Sequence, residues 1–163
     1  MIGDHLHFEV LGHAEPAGSK TNMPRRRFPV TLHSMRDFLA AFPLVDANPK
    51  SKGWKEKVAQ AASAAMLRDR RELMEGPLFV QITVRRARPK GHFRKDGVTL
   101  SLDGMRSEHP TSKPDVLKYA RGIEDACTGI VWKDDAQIVK EPLCKEWCRP
   151  GQPEGISVTV VEL

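Results

Sequence analysis

Residues 113–140 read KPDVLKYARGIEDACTGIVWKDDAQIVK, and the rest of the chain is organised around this stretch. Asp115 follows a proline and opens a segment with the periodicity of an amphipathic helix. Glu124 and Asp125 lie on that helix, and a second acid pair, Asp134–Asp135, follows a turn. Acids gathered from a helix and a loop, inside an otherwise basic chain, suggest a site for a hard metal ion that faces a polyanion.

The length and charge of the chain bound its class. The 163 residues predict one domain over residues 1–163, and the mix of 40% hydrophobic and 29% charged residues is typical of chains that fold. The formal net charge is +5 and the isoelectric point is near 9.3. A basic balance favours phosphate backbones or other anionic partners, but alone it does not establish nucleic-acid binding.

The sequence also bears on the compartment. No apolar run approaches the roughly 20 residues needed to span a bilayer, so we expect no membrane partner. Residues 1–10 lack a cationic segment followed by a long apolar stretch, so we expect no secretory signal and a cytoplasmic location. The odd cysteine count favours free thiols over a disulfide framework or a structural zinc site at Cys127, Cys144 and Cys148.

Hydrophobic periodicity predicts the remaining elements. Alternating patterns predict strands over 5–11, 78–88, 136–148 (interrupted by a proline) and 155–163. Helical spacing predicts one short helix over 31–42 and a second helix from Ser51, as N-cap, to about residue 75. We expect residues 12–29 to form a basic loop. Residues 89–110 are expected to be an exposed excursion with a turn at 96–97. This order predicts an α/β (α+β) fold, a mixed sheet with two main helices on one face.

The helical stretch has distinct faces at about 100° per residue. One apolar stripe contains Val116, Tyr119, Ala120, Ile123, Cys127 and Ile130. Opposite it lie Lys118, Gly122 and Asp125, and Leu117, Arg121 and Glu124 lie on the flank. Asp125 can pair with Arg121 on the helix surface, and Asp134–Asp135 can be solvated turn acids, so each has a structural alternative to a ligand role.

The stretch KPDVLKYARGIEDACTGIVWKDDAQIV resembles the signature of RusA-type Holliday junction resolvases, which are common in phages and prophages. Upstream, FEVLGHAEPAGSK is similar to the opening strand and loop of that family, and VDANPKSKGW is similar to the lead into its first long helix. The resemblance implies a homodimeric, Mg²⁺-dependent endonuclease, with Mn²⁺ as an alternative ion, that resolves four-way junctions and other branched DNA in recombination and repair.

The resemblance also implies roles for single residues. Asp115 and Asp135 match metal-binding acids, and Asp134, which matches the companion of Asp135, is expected to be a metal ligand as well. Arg121 stands where the family has a catalytic lysine. The second acid of the first pair is replaced by Leu117, and leucine cannot bind magnesium. We therefore hypothesise that Glu124, two turns later at nearly the same azimuth, supplies the missing carboxylate as a catalytic metal ligand.

Two other classes stay open at this point. Leu117 can mark a weakened or inactive nuclease that still binds branched DNA, or the acids can be solvated residues of a structural domain. In the nuclease hypothesis, the candidates for DNA contacts are basic residues that lie outside the acid set. They are Lys20, Arg25, Arg26, Arg27, Arg85, Arg86, Arg88, Lys113, Lys118 and Lys133.

Overall fold

The structure of the chain, a computed structural model, describes residues 5–18, 20–22, 44–46 and 48–163. The strands are β1 (His5–Leu11), β2 (Lys20–Asn22), β3 (Leu44–Asp46), β4 (Leu78–Arg86), β5 (Ile138–Lys140), β6 (Leu143–Trp147) and β7 (Gly155–Glu162). The helices are α1 (Ser51–Arg68), α2 (Leu102–Arg106) and α3 (Val116–Cys127), with single 3₁₀ turns at Lys90–His92 and Asp135–Gln137. The helix predicted over 31–42 and Arg25 to Arg27 lie outside the described residues.

The main sheet is mixed and has β4 near its centre. Strand β7 pairs antiparallel with both β1 and β4, while β5 and β6 both pair parallel with β4, at different positions along it. The proline predicted to interrupt this region, Pro142, separates β5 from β6, and its carbonyl accepts from the amide of Ile82. Strands β2 and β3 form a separate two-stranded ladder.

The core lies on one face of the main sheet, because alternate side chains of its strands point the same way. In β4 the buried residues on this face are Leu78, Val80, Ile82 and Val84. Helices α1 and α3 pack against each other over this face, α1 chiefly on β1 and α3 on β4 and β6. The predicted α+β fold with two main helices on one face of a mixed sheet is therefore confirmed.

Helix α1 is shorter than predicted. It begins at Ser51 with Lys50 as the N-cap residue, and it ends at Arg68 instead of near residue 75. Arg70 adopts a left-handed conformation (φ 49°), the Arg70 amide donates to the carbonyl of residue 67, and the Arg71 amide donates to that of residue 66. This is the hydrogen-bond pattern of a Schellman ending, which satisfies the last carbonyls and stops the helix well before the predicted Gly-Pro stop.

The predicted apolar stripe of α3 is confirmed in its centre, where Tyr119, Ala120, Ile123 and Cys127 are all buried. The prediction for Gly122 was wrong, because this residue is buried rather than outward-facing. A Cβ at Gly122 would lie 3.6 Å from the amide nitrogen of Ala17. The segment before β2 covers this side of α3, and the Ala17 amide donates to the carbonyl of Lys118.

The excursion between β4 and α3 is a folded unit. The amide of Arg94 donates to the carbonyl of Thr99 at 2.7 Å around the predicted turn, where Gly97 has φ 71°. The Ser101 hydroxyl caps the short helix α2. Among the residues that the structure describes, no helix combines the length and the apolar character that a membrane span requires.

Candidate active site

Three carboxyl groups approach one another at the C-terminal end of α3. Glu124 comes from the helix, Asp135 from the 3₁₀ turn that follows it, and Glu141 from the link between β5 and β6. Burial, then hydrogen bonding to Glu141 and the negative charges of Glu141 and Asp135, raise the pKa of Glu124 to about 8. Oε1 of Glu141 is buried and has no hydrogen-bond partner within the described part of the chain. Glu124 and Glu141 are therefore close enough to hydrogen-bond through one proton, while Asp135 acts on Glu124 through its charge.

Two donors fix the carboxylate of Asp135. The indole Nε1 of Trp132 donates to Asp135 Oδ1 at 2.8 Å, and the Thr128 hydroxyl donates to the same oxygen. Trp132 is fully buried, and Thr128 is the C-cap residue of α3. Asp135 is therefore anchored to the core and to the helix end, and its second oxygen, Oδ2, is not engaged by these donors.

Gln137 holds the turn that carries Asp135. Its side-chain oxygen accepts from the amides of Lys133 and Asp134, each at 2.9 Å, and its nitrogen donates to the carbonyls of Met74 and Gly76, each at 3.0 Å. The side chain of Asp134 caps the same turn by accepting from the amide of residue 136 at 2.8 Å. Asp134 thus has a structural role in positioning its neighbour.

Asp115 lies at the opposite end of α3, as its exposed N-cap residue. Nine residues separate it from Glu124, which corresponds to about 13.5 Å of helix. Ligands of one magnesium ion lie about 2.0–2.1 Å from it, so Asp115 and Glu124 of one chain cannot share an ion. The structure therefore brings Glu124 together with Asp135 and leaves Asp115 apart from both.

Basic residues surround the Asp115 end instead. Lys145 donates to the carbonyls of Ser112 (2.8 Å) and Pro114 (3.0 Å), and Arg86 donates to the Lys113 carbonyl at 3.1 Å. Burial, followed by the nearby positive charge of Arg86, lowers the pKa of Lys145, while Asp115 acts in the opposite direction. These contacts position the turn that ends in Asp115.

The outward face of α3 carries Leu117, which is 67% exposed, and Arg121, which is also exposed. Asp125 pairs with Lys55 of α1 at 2.6 Å rather than with Arg121. This ion pair joins the two main helices, which favours the structural reading of Asp125.

The candidates for DNA contacts fall into several groups. Arg85 is only 6% exposed and pairs with Glu9 at 2.9 Å, so its guanidinium is not presented to a phosphate. Arg86 donates a hydrogen bond to the carbonyl of Lys113, and Arg88 donates to the carbonyls of Gly104 and Ser107. Lys113, Lys118 and Lys133 are exposed, and for Lys20 only the backbone is described.

Residues 44–160, most of the chain, match the sequence model of the family Endodeoxyribonuclease RusA. The chain belongs to the RusA endodeoxyribonuclease family. The likeness predicted from the motif at 113–139 is thus confirmed at the level of the family, and with it the assignment to a family of nucleases that hydrolyse DNA.

A relative from Bacillus subtilis (strain 168), "Uncharacterized protein YqaN", is 36% identical to this chain over 93 residues. The matched region covers 55% of this chain and 61% of that protein. The match with this chain therefore spans about three-fifths of the length of that relative.

RusA-family nucleases depend on divalent metal ions. Among the described residues, no group of three or more His, Cys, Asp or Glu side chains has the geometry to hold a metal ion. The donor set at the C-terminal end of α3 nevertheless fits such an ion in kind. It consists of oxygen ligands only, which magnesium prefers. The buried Oε1 of Glu141 has no hydrogen-bond partner among the described residues, and a bound cation would be a partner for it.

Sequence reasoning missed Glu141, Lys145 and the two donors to Asp135. The angular position around a helix shows which residues of that helix share a face. It cannot show that a residue of another element approaches Glu124. The sequence does show a glutamate directly before the strand-breaking proline, but it contains no signal that relates this residue to Glu124.

Proposed function

We propose that this chain is a homodimeric, divalent-metal-dependent endonuclease that cuts branched DNA, four-way junctions included, by paired nicks during recombination and repair. The observation that carries the proposal is the approach of Glu124 and Glu141 to the anchored Asp135 in a basic chain of the RusA family. Such a nuclease would work in the cytoplasm, where bacterial and phage DNA is recombined.

In this proposal Asp135, Glu124 and Glu141 bind Mg²⁺ or Mn²⁺, and Asp134 positions Asp135. When bound, the ion would polarise the scissile phosphate and help to generate a nucleophilic hydroxide. In the metal-free site Glu124 holds a proton near neutral pH, because its pKa is raised to about 8, and it would release this proton on binding the ion. Arg121, exposed on α3, is the candidate for stabilising the charge that develops on the phosphate.

The separation of Asp115 from the other acids supports the dimer. A twofold axis that places two copies of α3 antiparallel would bring Asp115 of one chain next to Glu124 of its partner. Leu117, exposed at 67%, would then lie in the contact, which agrees with the loss of an acid at this position. Twofold symmetry also suits a junction that is cut in two matching strands.

Cleavage of a synthetic four-way junction tests the nuclease. We expect nicked products with Mg²⁺ or Mn²⁺, and a loss of at least 100-fold in rate for Asp135→Asn. Asp125→Asn is the matched control on α3, and it should cut like the parent because Asp125 pairs with Lys55. Metal-dependent cutting that survives Asp135→Asn would refute the site.

A mixing experiment tests the shared site. Asp115→Asn and Asp135→Asn are each expected to be inactive alone. If each site takes Asp115 from one chain and Asp135 from the other, a mixed dimer has one intact site and nicks one strand. If each site is built from a single chain, the mixture stays inactive.

A second candidate function is a structure-specific DNA-binding protein with little or no cleavage. The specific observation in its favour is Leu117, which removes an acid that the family motif carries. Tight, junction-selective binding without nicked products at any divalent metal concentration would favour this candidate. Equal affinity for junction and duplex, lost at moderate salt, would instead indicate a structural domain with solvated acids.

A further inference from the structure

A cavity of about 690 Å³ lies between the excursion and the end of β6, away from the acid site. Its walls include Phe93 and Leu100 of the excursion hairpin, Trp147 at the end of β6, and the turn at 149–152. Its volume is within the range of small-molecule sites, roughly 300–1,000 Å³. The proposed cleavage chemistry does not use this cavity.

The aromatic wall of the cavity is held in place by its neighbours. Trp147 Nε1 donates to the carbonyl of Ser107 at 3.0 Å, and the ring of His92 meets the indole edge-on with centroids 5.3 Å apart. The guanidinium carbon of Arg88 lies 5.5 Å from the centre of the Trp147 ring, within the range of a cation–π contact. A positioned aromatic ring at a cavity wall is a surface on which a flat ligand can stack.

The charge around the cavity indicates what kind of ligand reaches it. Residues 87–113, which follow β4, contain six Lys and Arg against three Asp and Glu, a net charge of +3. The wall itself contains the carboxylates of Glu108 and Glu146 and the guanidinium groups of Arg88 and Arg149. The basic segment therefore attracts a polyanion, and the two acids in the wall can accept hydrogen bonds from the amino groups of a base.

The cavity and the acid site are joined by one strand. Six residues separate Glu141 from Trp147, at most about 20 Å of extended chain. Lys145 lies between them on β6. At the rise of about 3.4 Å per nucleotide of one strand in duplex DNA, this distance corresponds to at most about six nucleotides.

From this arrangement we propose that the cavity binds one unstacked nucleobase of the DNA strand that the acid site cuts. The inference rests on the proposed function for the identity of the strand. The base would stack on the aromatic wall, and the basic residues of the excursion would bind the flanking phosphates. In an open junction the base pairs at the branch point lack a stacking neighbour on one side, so the cavity would help to place the branch relative to the cut.

The test compares two short single strands in EDTA, so that cleavage plays no part. One is a tetranucleotide of deoxyadenosine, and the other carries the same phosphates on abasic sugars. We expect the base-bearing strand to bind about 5- to 150-fold more tightly, the gain typical of stacking one base on an aromatic side chain. Only the base-bearing strand should quench tryptophan fluorescence, because Trp147 is the half-buried tryptophan, whereas Trp54 and Trp132 are buried.

Variants on the protein side provide a matched pair. Phe93→Ala should remove most of the advantage of the base-bearing strand, whereas Leu102→Ala, an exposed apolar residue of the same excursion outside the cavity, should retain it. Equal binding of base-bearing and abasic strands to the parent protein overturns the proposal. That comparison uses the unaltered chain, so it decides the matter even if Phe93→Ala does not fold.

Failure of this inference is distinguishable from failure of the proposed function. Asp135→Asn should keep the preference for the base-bearing strand, because Asp135 is not part of the cavity. A parent protein that prefers the base-bearing strand but never nicks a junction would refute the nuclease and leave the cavity assignment standing. A protein that nicks junctions but binds both strands equally would do the reverse.

Discussion

At the scale of single residues, Glu124 makes stability depend on pH. Burial and the neighbouring carboxyls raise its pKa from 4.5 to about 8, so the folded chain keeps a proton that the unfolded chain releases above pH 4.5. This contribution to stability is therefore complete below about pH 4.5 and is lost as the pH rises to about 8. We expect Glu124→Gln in EDTA to unfold at higher urea concentration than the parent, with a difference that grows from pH 5 to pH 8.

The exposed Glu75 provides the control for this measurement, since Glu75→Gln should follow the parent at every pH. Adding Mg²⁺ at pH 8 should stabilise the parent more than Glu124→Gln, because the substitution removes one proposed ligand. A pH-independent difference between Glu124→Gln and the parent would mean that Glu124 is not held in its protonated form.

Gln137 shows how a neutral side chain can determine the geometry of an acid. Its four hydrogen bonds tie the turn of Asp135 to the segment before β4. At about 0.5–1.5 kcal/mol for each of the four hydrogen bonds, Gln137→Ala should lower the free energy of unfolding by about 2–6 kcal/mol. Denaturant titration checks this value, with the exposed Gln60→Ala on α1 as a control that should change stability little.

Only some residues of the candidate site could be predicted from the sequence. The motif 132–139 gave Asp135, but the anchoring of Asp135 by Trp132 and Thr128 depends on how the turn folds back on the helix end. Glu124 was expected on the flank of the helix, and it is half-buried there. Its partner Glu141 could not be predicted, because that contact depends on where the chain re-enters the sheet.

At the level of secondary-structure elements, helix α1 could be predicted from its own spacing, but the residue at which it ends could not. Helical spacing predicted the helix and its buried face, including Trp54, Val58 and Ala62. The same spacing could not show that Arg70 would turn left-handed, a conformation unfavourable for a residue with a Cβ. A non-glycine residue at this position is therefore an exception to the usual helix ending.

Arg70→Gly should stabilise the protein, because glycine adopts φ 49° without the steric cost that arginine bears. We expect a gain of about 1 kcal/mol in the free energy of unfolding. Lys57→Gly, at an exposed position within α1, should instead cost about 1 kcal/mol. Two changes of the same sign in urea titrations would contradict the Schellman ending.

At the scale of the whole molecule, the order of strands was beyond sequence reasoning. Alternation predicted the strands themselves, because it reflects one buried face. It does not encode that β4 pairs with β7 antiparallel and with β5 and β6 parallel, since that choice depends on the path of the excursion and of α3. The fold class could be predicted, whereas the juxtaposition of the β5–β6 link with the end of α3 could not.

Basic residues of the chain differ in exposure, and this difference predicts which of them affect DNA binding. Lys133 is exposed beside the acid site, so Lys133→Ala should reduce the slope of log K against log salt by about 0.9, the value for one lost phosphate contact. Arg85→Gln should leave the slope unchanged, because Arg85 is buried against Glu9, although it should lower the melting temperature. Equal changes of slope would place Arg85 in contact with DNA.

The position of the acids at one end of α3 has a further consequence. The aligned peptide dipoles of a helix leave partial negative charge at its C-terminus, and the last turn of α3 contains no basic residue to balance it. Asp135 and Glu141 add to this negative potential, and Glu124 adds to it once it has lost its proton, so the apo fold is electrostatically frustrated at the place where it is proposed to act. A bound divalent ion would relieve that frustration, and the melting temperature of the DNA-free protein would then rank divalent ions by affinity.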